Sequence, residues 1–464
     1  MKHKKKYAII SVVLVAAAVI CGSVIANKDM FKPNVTIAIG NWPRTDDPEI
    51  EKYNSLKDFY KKIYPNVDIT PDTYDFSVNT FEEMARENKL PNLYSVYFTE
   101  INKIISRGYA ADITDELENM GWKRYINPDI LSMLTDGEQR VYGVPGEVYV
   151  QGLYINKKIF RQAGLVNPDG SIMIPDNLDE MAKYARIIKE KTGKAGFCMP
   201  TTENGGGWHF LNIAWDFGTR FMKSDGAGNY IATFDTDEAK QALQYVKDLQ
   251  HVYHALPDEK LISIGEARKL FSTEQVAMMF MNLNENVFLT KSGMAKEDIM
   301  VARMPEGIAG RYAQIGGKVW MFSKDSSSEQ ITAGLKWLDL RGFGPILNDS
   351  QIDAFEKMIN GYREEGQIVL SRRVFDMWTD YETNKKINEI YEKYSNTEKS
   401  DYEDYLNFNG VILRPEEPSH CQDLYAILDK CIQKVIIDKD ADVSALIKNA
   451  NAEFQTQYLD NDKY

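Results

Sequence analysis

The residues that could carry chemistry in this chain stand at spacings that the common chemistries do not use. Asp438–Asp442 reads DKDAD, the opening of a calcium loop, but Val443 stands where that loop needs a glycine and Asn449 where it needs a glutamate. The pattern predicts instead a helix cap ahead of Val443, Leu446, Ile447, Ala450 and Phe454. His251 and His254 lie within one helical turn, yet no third ligand accompanies them as a zinc site requires, so they read as solvated histidines. Thr201–Trp208, TTENGGGW, could cradle a phosphate with its backbone; without a following Gly-Lys-Ser/Thr it is no P-loop. It reads as flexible access to a cleft, with Trp208, His209 and Trp215 beside it. Met278, Met279 and Met281 read as the core of a strand rather than a soft-metal cluster.

Nucleophiles fare no better. There is no G-x-S-x-G, H-E-x-x-H or dinucleotide fingerprint, and no cysteine is paired by local context with a histidine. Beyond Cys21, in an apolar N-terminal run, Cys198, Cys421 and Cys431 are an odd set without CxxC spacing. A Cys421–Cys431 bridge and two buried thiols on one helical segment are both open. No metal, cofactor or catalytic set is called for. The enzyme alternative is a secreted or tethered glycoside hydrolase, because its two carboxylates can stand anywhere in sequence.

These side chains must be positioned by more than one core, since 464 residues exceed what a single core usually serves. The formal charge of −13 includes four lysines among the first six residues, so the remainder is more acidic still and suits neither nucleic acid nor anionic lipid. Val35–Ile39 alternates as a strand and stops at Gly40, which puts Trp42 at the C-terminal edge where open α/β sheets hold their ligands. Tyr53, Leu56, Phe59 and Ile63 share one face of a helix over 50–64. Asn177 caps a helix with Leu178, Met181, Ala182, Ala185 and Ile188 inward, Glu180 three residues after the cap and Gly193 at the stop. A second such helix runs from Thr236 to Tyr253. In Tyr142–Leu165, Pro145 and Gly146 punctuate the chain, Val148–Ile155 has a buried strand's composition, and Lys157–Ala163 is helical up to Gly164. A segment that leaves one sheet, crosses extended and starts another element is what a hinge between two lobes requires.

That run, YG-x-P followed by LY-x-N-K-x-x-F-x-x-AGL, resembles the signature of the family 1 extracellular solute-binding proteins of ABC importers, the maltose-binding-protein-like group. Leu93–Phe98, Ala111–Asp115, Gly265–Met281 and the Gly316–Ser328 run resemble other family segments, so the likeness extends from Val35 to the final helix except roughly 341–420. It implies an α/β fold of two lobes, the type II periplasmic-binding-protein-like architecture, with a ligand cleft between them and a helical C-terminal region. It assigns 34–145 and 299–342 to the first lobe, and 146–298 and 343–464 to the second. It also places Tyr97 near the cleft rim, Glu147 and Tyr149 on the crossing, Trp208 at the lobe interface, and Asn282, Asn284 and Glu285 at a strand end. Gly317 and Trp320 lie on the returning strand, where Gly316–Gly317 admits either a ligand's close approach or a bulge. The implied ligand is a carbohydrate, favoured over a peptide or ion by 11% aromatic residues. The implied partners are ABC permease subunits, with no nucleic acid and a monomeric receptor that closes on its ligand; a sugar sensor without transport is the variant reading.

Met1–Lys6 is basic and Tyr7–Ala26 carries no charge, long enough to span a bilayer. Residues 1–26 are therefore a signal peptide or membrane anchor, with the lysines inside. Cys21 is a lipidation candidate by the family's habit, although Ile20 stands where a lipobox has a small residue. Cleavage after Ala26 and an uncleaved anchor are the other branches, and all three place the remainder outside the cytoplasm.

Overall fold

The computed structural model describes residues 34–77, 80–226 and 229–462, so Cys21 and the N-terminal segment lie outside the described residues. Strand β1 (Val35–Ile39) buries Val35, Ile37 and Ile39 and turns Thr36 to solvent, as its alternation requires. It runs parallel to β2 (Val67–Pro71) and touches β3 (Leu93–Tyr97). The helix Ile50–Ile63 covers this edge; its one fully buried side chain is Tyr60, whose hydroxyl donates to the Ala333 carbonyl at 2.8 Å.

Strand β4 (Gly143–Asn156) is the crossing, unbroken over 14 residues. It starts earlier than its sequence suggests and runs straight through Pro145, which faces Val319 where the ladder slips register between Lys318 and Val319. Proline is tolerated there because the irregular ladder asks no N–H of it. Beyond that point Gln151–Ile155 pairs antiparallel with β8 (Val276–Asn282), which carries β5 (Ala195–Cys198) in parallel. The small hairpin of β6 (Met222–Ser224) and β7 (Tyr230–Ala232) stands apart. Strand β9 (Ile299–Ala302), expected in the first lobe, pairs with Leu153–Asn156 in the second-lobe half of the sheet.

The chain returns on β10 (Arg311–Phe322), which pairs with β4 and, at Lys318–Phe322, with β3; its other end takes β11 (Val411–Pro415). Two strands thus cross between the lobes, bonded to each other. At their contact Gly317 has φ +147°, and a Cβ there would stand 1.8 Å from the Glu147 carbonyl oxygen. A Cβ on Gly316 would meet the Tyr149 hydroxyl at 2.5 Å. The glycine pair therefore admits the neighbouring strand and the Tyr149 ring.

Caps follow the sequence closely. The Asn177 side chain accepts from the Glu180 N–H at 2.9 Å, and Gly193 ends that helix with φ +72°. Glu180 reaches back to the N–H of Asp176 instead of Asn177. Asp442 accepts from the Ala445 N–H and begins the helix Val443–Gln457, as DKDAD suggests. Cys421 and Cys431 are free, buried thiols on one helix, Cys421–Ile437. Met278, Met279 and Met281 are buried in β8. His254 is exposed, whereas His251 is tied to the Val435 carbonyl at 2.8 Å and is not simply solvated.

The C-terminal part does not attach to the second lobe alone. Trp378 bridges to Ile126 and packs on Trp122, and the Asn127 N–H donates to the Met377 carbonyl, which holds this stretch against the first lobe. The chain then reaches the crossing, where Lys157 meets both Asp401 carboxylate oxygens at 2.6 Å and Tyr405 donates to the Val150 carbonyl. Tyr405 lies so close to Gly152 that a Cβ there would stand 2.6 Å from its ring.

Candidate functional site: the cleft between the lobes

The first lobe offers the end of β3 and the turn Phe98–Glu100, and β4 forms the floor with Glu147 and Tyr149. The second lobe offers Glu416, just past β11, the start of Cys421–Ile437, and Trp208 on the helix Gly205–Asp216. Thr99 and Glu100 of the first half lie near enough to act on the Cys421 thiol of the second.

The Gly-Gly-Gly run is not a flexible loop, and the physical reason is packing. A Cβ on Gly207 would stand 2.4 Å from Tyr425 Cα, one on Gly206 2.7 Å from an Asp429 oxygen, and one on Gly205 2.8 Å from Ile264 and Pro200. The three glycines form the first helical turn pressed against a neighbouring helix. Its free N–H groups are capped from outside, for Asp429 accepts from Asn204 N–H at 2.8 Å and Gly207 N–H at 2.7 Å.

Trp208 follows at once, half-buried, its ring edge-on to His209 at 4.7 Å. Glu416 accepts from the Tyr425 hydroxyl at 2.9 Å, and the Trp208 side chain favours its ionised form. Burial pushes the Glu416 carboxyl up to about 7; Tyr425 and Trp208 oppose that rise and Glu100 of the other lobe adds to it. Burial likewise raises the Glu100 carboxyl and the Tyr149 hydroxyl. His209 is buried and bonds the Gly205 and Phe280 carbonyls; desolvation lowers it to about 4, so it is a neutral packing residue. Trp215 is a core residue that donates to Glu417 at 3.0 Å.

Of the residues singled out from sequence, Tyr97, Glu147, Tyr149, Trp208 and Asn284 face this cleft region. Tyr97 is 46% exposed, and Asn284 donates to Glu147 at 3.2 Å. Others serve elsewhere. Trp42 is 4% exposed and stacks on Trp337 at 5.5 Å, leaving only an edge to a cavity of about 820 Å³ beside the end of β1. Trp320 is buried against Phe343 and beneath the Arg341 guanidinium. Glu285 is buried in an ion pair with Arg268 at 2.5 Å. Asn282 turns its side chain to the Asn284 N–H, and Gly317 is closed in by β4. Sequence reasoning missed Thr99, Glu100, Glu416, Cys421 and Tyr425; the alternation of Val411, Leu413 and Pro415 is the one signal that a strand delivers Glu416. Among the described residues no group of three His, Cys, Asp or Glu side chains could hold a metal ion.

Two lobes, a doubly crossed hinge and a cleft of aromatic faces and carboxylates define a hinged binding protein. Residues 41–339 match the model of the bacterial extracellular solute-binding proteins, and the chain belongs to that family. The resemblance read from Tyr142–Leu165 is thereby borne out. A binding protein of Brucella abortus is 24% identical over 233 residues, 49% of this chain and 52% of that one. The melibiose/raffinose/stachyose-binding protein MelE of Bacillus subtilis is 26% identical over 176 residues, 37% of each chain. The chain spans about half the length of the first of these curated relatives. In fold it is similar to the cyclic α-maltosyl-1,6-maltose binding protein of Arthrobacter globiformis, with a TM-score of 0.62, 19% identity, and 90% of this chain and 97% of that one covered.

Proposed function

We propose that this protein is the extracytoplasmic receptor of an ABC importer, binding an oligosaccharide by lobe closure and presenting it to a membrane permease. The observation that carries the reading is the cleft itself, where Trp208, Tyr149 and Tyr97 stand among the acceptors Glu100, Glu147 and Glu416. Aromatic faces suit the C–H surface of a pyranose, and carboxylates suit the many hydroxyl donors of a sugar. The names of the relatives, MelE among them, support a sugar. The family's proteins work outside the cytoplasm; among the described residues no helix is long and apolar enough to cross a membrane. A tether then falls to the N-terminal segment, by lipid on Cys21 or by the apolar run itself.

Titration calorimetry with raffinose, stachyose and maltotetraose tests the ligand class. Saturable binding of at least one, with the sugar recovered intact, is expected. Silence across such a panel, or hydrolysis that rises with protein concentration, sinks the reading. External protease on intact protoplasts should degrade the bulk of the chain; protection would place it inside.

A further inference from the structure

The stretch without a family likeness, roughly 341–420, encloses a cavity of about 710 Å³ that shares no lining residue with the cleft. One wall is the helix Tyr381–Tyr394, which buries Thr383, Ile387 and Ile390 and lines the cavity with Tyr381, Asn384 and Asn388. The rest of the lining comes from 371–379 and 399–406. Those segments adjoin or contain both attachments of the stretch, Trp378 on the first lobe and Asp401 with Tyr405 on the crossing. Three features of the lining point to a ligand. Tyr381 is 72% exposed, so a large aromatic side chain stands open to whatever enters. The Asn384 amide N–H donates to the Trp378 carbonyl at 2.7 Å, while its Oδ1 is shielded from solvent and has no hydrogen-bond partner. Asp376 Oδ1 is likewise shielded and without a hydrogen bond, with Arg373 standing off at 3.8 Å. Buried acceptors without a donor cost stability. Lastly, among the described residues Lys385, Lys399, Glu389, Glu392 and Glu403 line this one space and make no ion pair.

We propose that this cavity is a second carbohydrate site, separate from the cleft, taking a neutral sugar. The chemistry follows from the lining. A pyranose has an apolar C–H face for the Tyr381 ring and a rim of hydroxyls, each able to donate and to accept. Donation suits Asn384, Asp376 and the glutamates, and acceptance suits Lys385 and Lys399. A charged ligand is not favoured, because four carboxylates and three basic side chains line the same space and nearly cancel. Among the described residues no group of three His, Cys, Asp or Glu side chains could hold a metal ion here. The volume falls within the range of small-ligand sites, roughly 300–1,000 Å³. A chain held at this site would be kept near the cleft, which raises its effective concentration there. The inference goes beyond the importer reading and does not depend on it.

Hydrogen–deuterium exchange reads the two sites apart, on the full chain in a detergent without a sugar headgroup, with millimolar raffinose, stachyose or maltotetraose. At least one sugar should slow exchange over 371–406. Tyr381→Ala, a change at an exposed position that a thermal melt should barely register, should raise the sugar concentration for half-protection there at least tenfold. It should leave any protection of the cleft segments 97–100 and 205–216 in place. Trp208→Ala should leave the protection of 371–406 in place. Cleft segments protected while 371–406 is unchanged overturn the proposal and leave the receptor reading standing. Protection of 371–406 alone supports the proposal and counts against the cleft, and protection of neither overturns both. Protection of 371–406 that survives Tyr381→Ala, or that disappears with Trp208→Ala, is closure felt through the attachments and overturns the second site.

Discussion

Trp208 stands half-buried with its ring edge-on to His209 at 4.7 Å, so the ring is held by packing within its own lobe before any ligand arrives. Pre-orientation matters because a side chain already fixed loses less entropy on binding. Trp208→Ala should lower stability by about 1–2 kcal/mol, less than a core tryptophan, because the ring is only half-buried. Affinity for the tightest sugar in the panel should fall more than tenfold, roughly 1.4 kcal/mol or more. Trp208→Phe, which keeps a ring and loses the N–H, should lie between. Calorimetry and thermal melts on the three proteins measure both quantities, and a variant that melts far lower while binding normally would show that the ring serves the core.

At the scale of elements, the glycine run shows how close packing sets a local sequence. Gly207 lies where any side chain would strike the backbone of the neighbouring helix at Tyr425, whereas Gly265, on the helix Ile264–Ser272, has nothing nearer than the Ser263 hydroxyl at 3.9 Å. Gly207→Ala should therefore destabilise by about 1–3 kcal/mol through overpacking. Gly265→Ala should be neutral, or gain a few tenths of a kcal/mol from helix propensity. Urea unfolding midpoints separate them, and equal midpoints would refute the packing argument. The same contrast explains what could be read in advance. Caps such as Asn177 and Asp442 were legible because they act on their own next turn, a distance the sequence displays. The need for Gly206 and Gly207 was illegible because its cause, Asp429 and Tyr425, lies more than two hundred residues away. Glu416 was missed likewise, since its neighbours at the cleft come from four separate stretches of chain. The packing of Trp42 on Trp337 and of Trp320 on Phe343 was illegible because a place at a strand end or on a strand does not say which way a ring turns.

For the whole molecule, residues beyond about 341 act as a strap, held to the first lobe at Trp378 and to the crossing at Asp401 and Tyr405. Lys157 is the pivot of that attachment, a buried cation satisfied by one carboxylate. Asp401→Ala should cost about 3–5 kcal/mol, because it leaves the ammonium buried and uncompensated. The double variant Lys157→Met with Asp401→Leu should recover most of that loss, since apolar groups of similar size often replace a buried pair at little cost. Denaturant titration of the three proteins tests this; a double variant no better than the single one would show that the pair holds the strap in a way packing cannot replace.

The bonded crossing strands have a mechanical consequence. Joined edge to edge from Gly143 to Val150 and from Ile315 to Met321, β4 and β10 form a tape rather than two loose cords. A tape bends across its face but resists shear, because sliding one strand past the other by a single residue would break every rung and turn each side chain to the wrong side. Its weakest rung is the slip between Lys318 and Val319, and bending concentrates where rungs are fewest. Rotation of one lobe about the other is damped in the backbone itself. Whatever rests on both lobes at once therefore meets one angle, and the tape allows the lobes a single axis of bending.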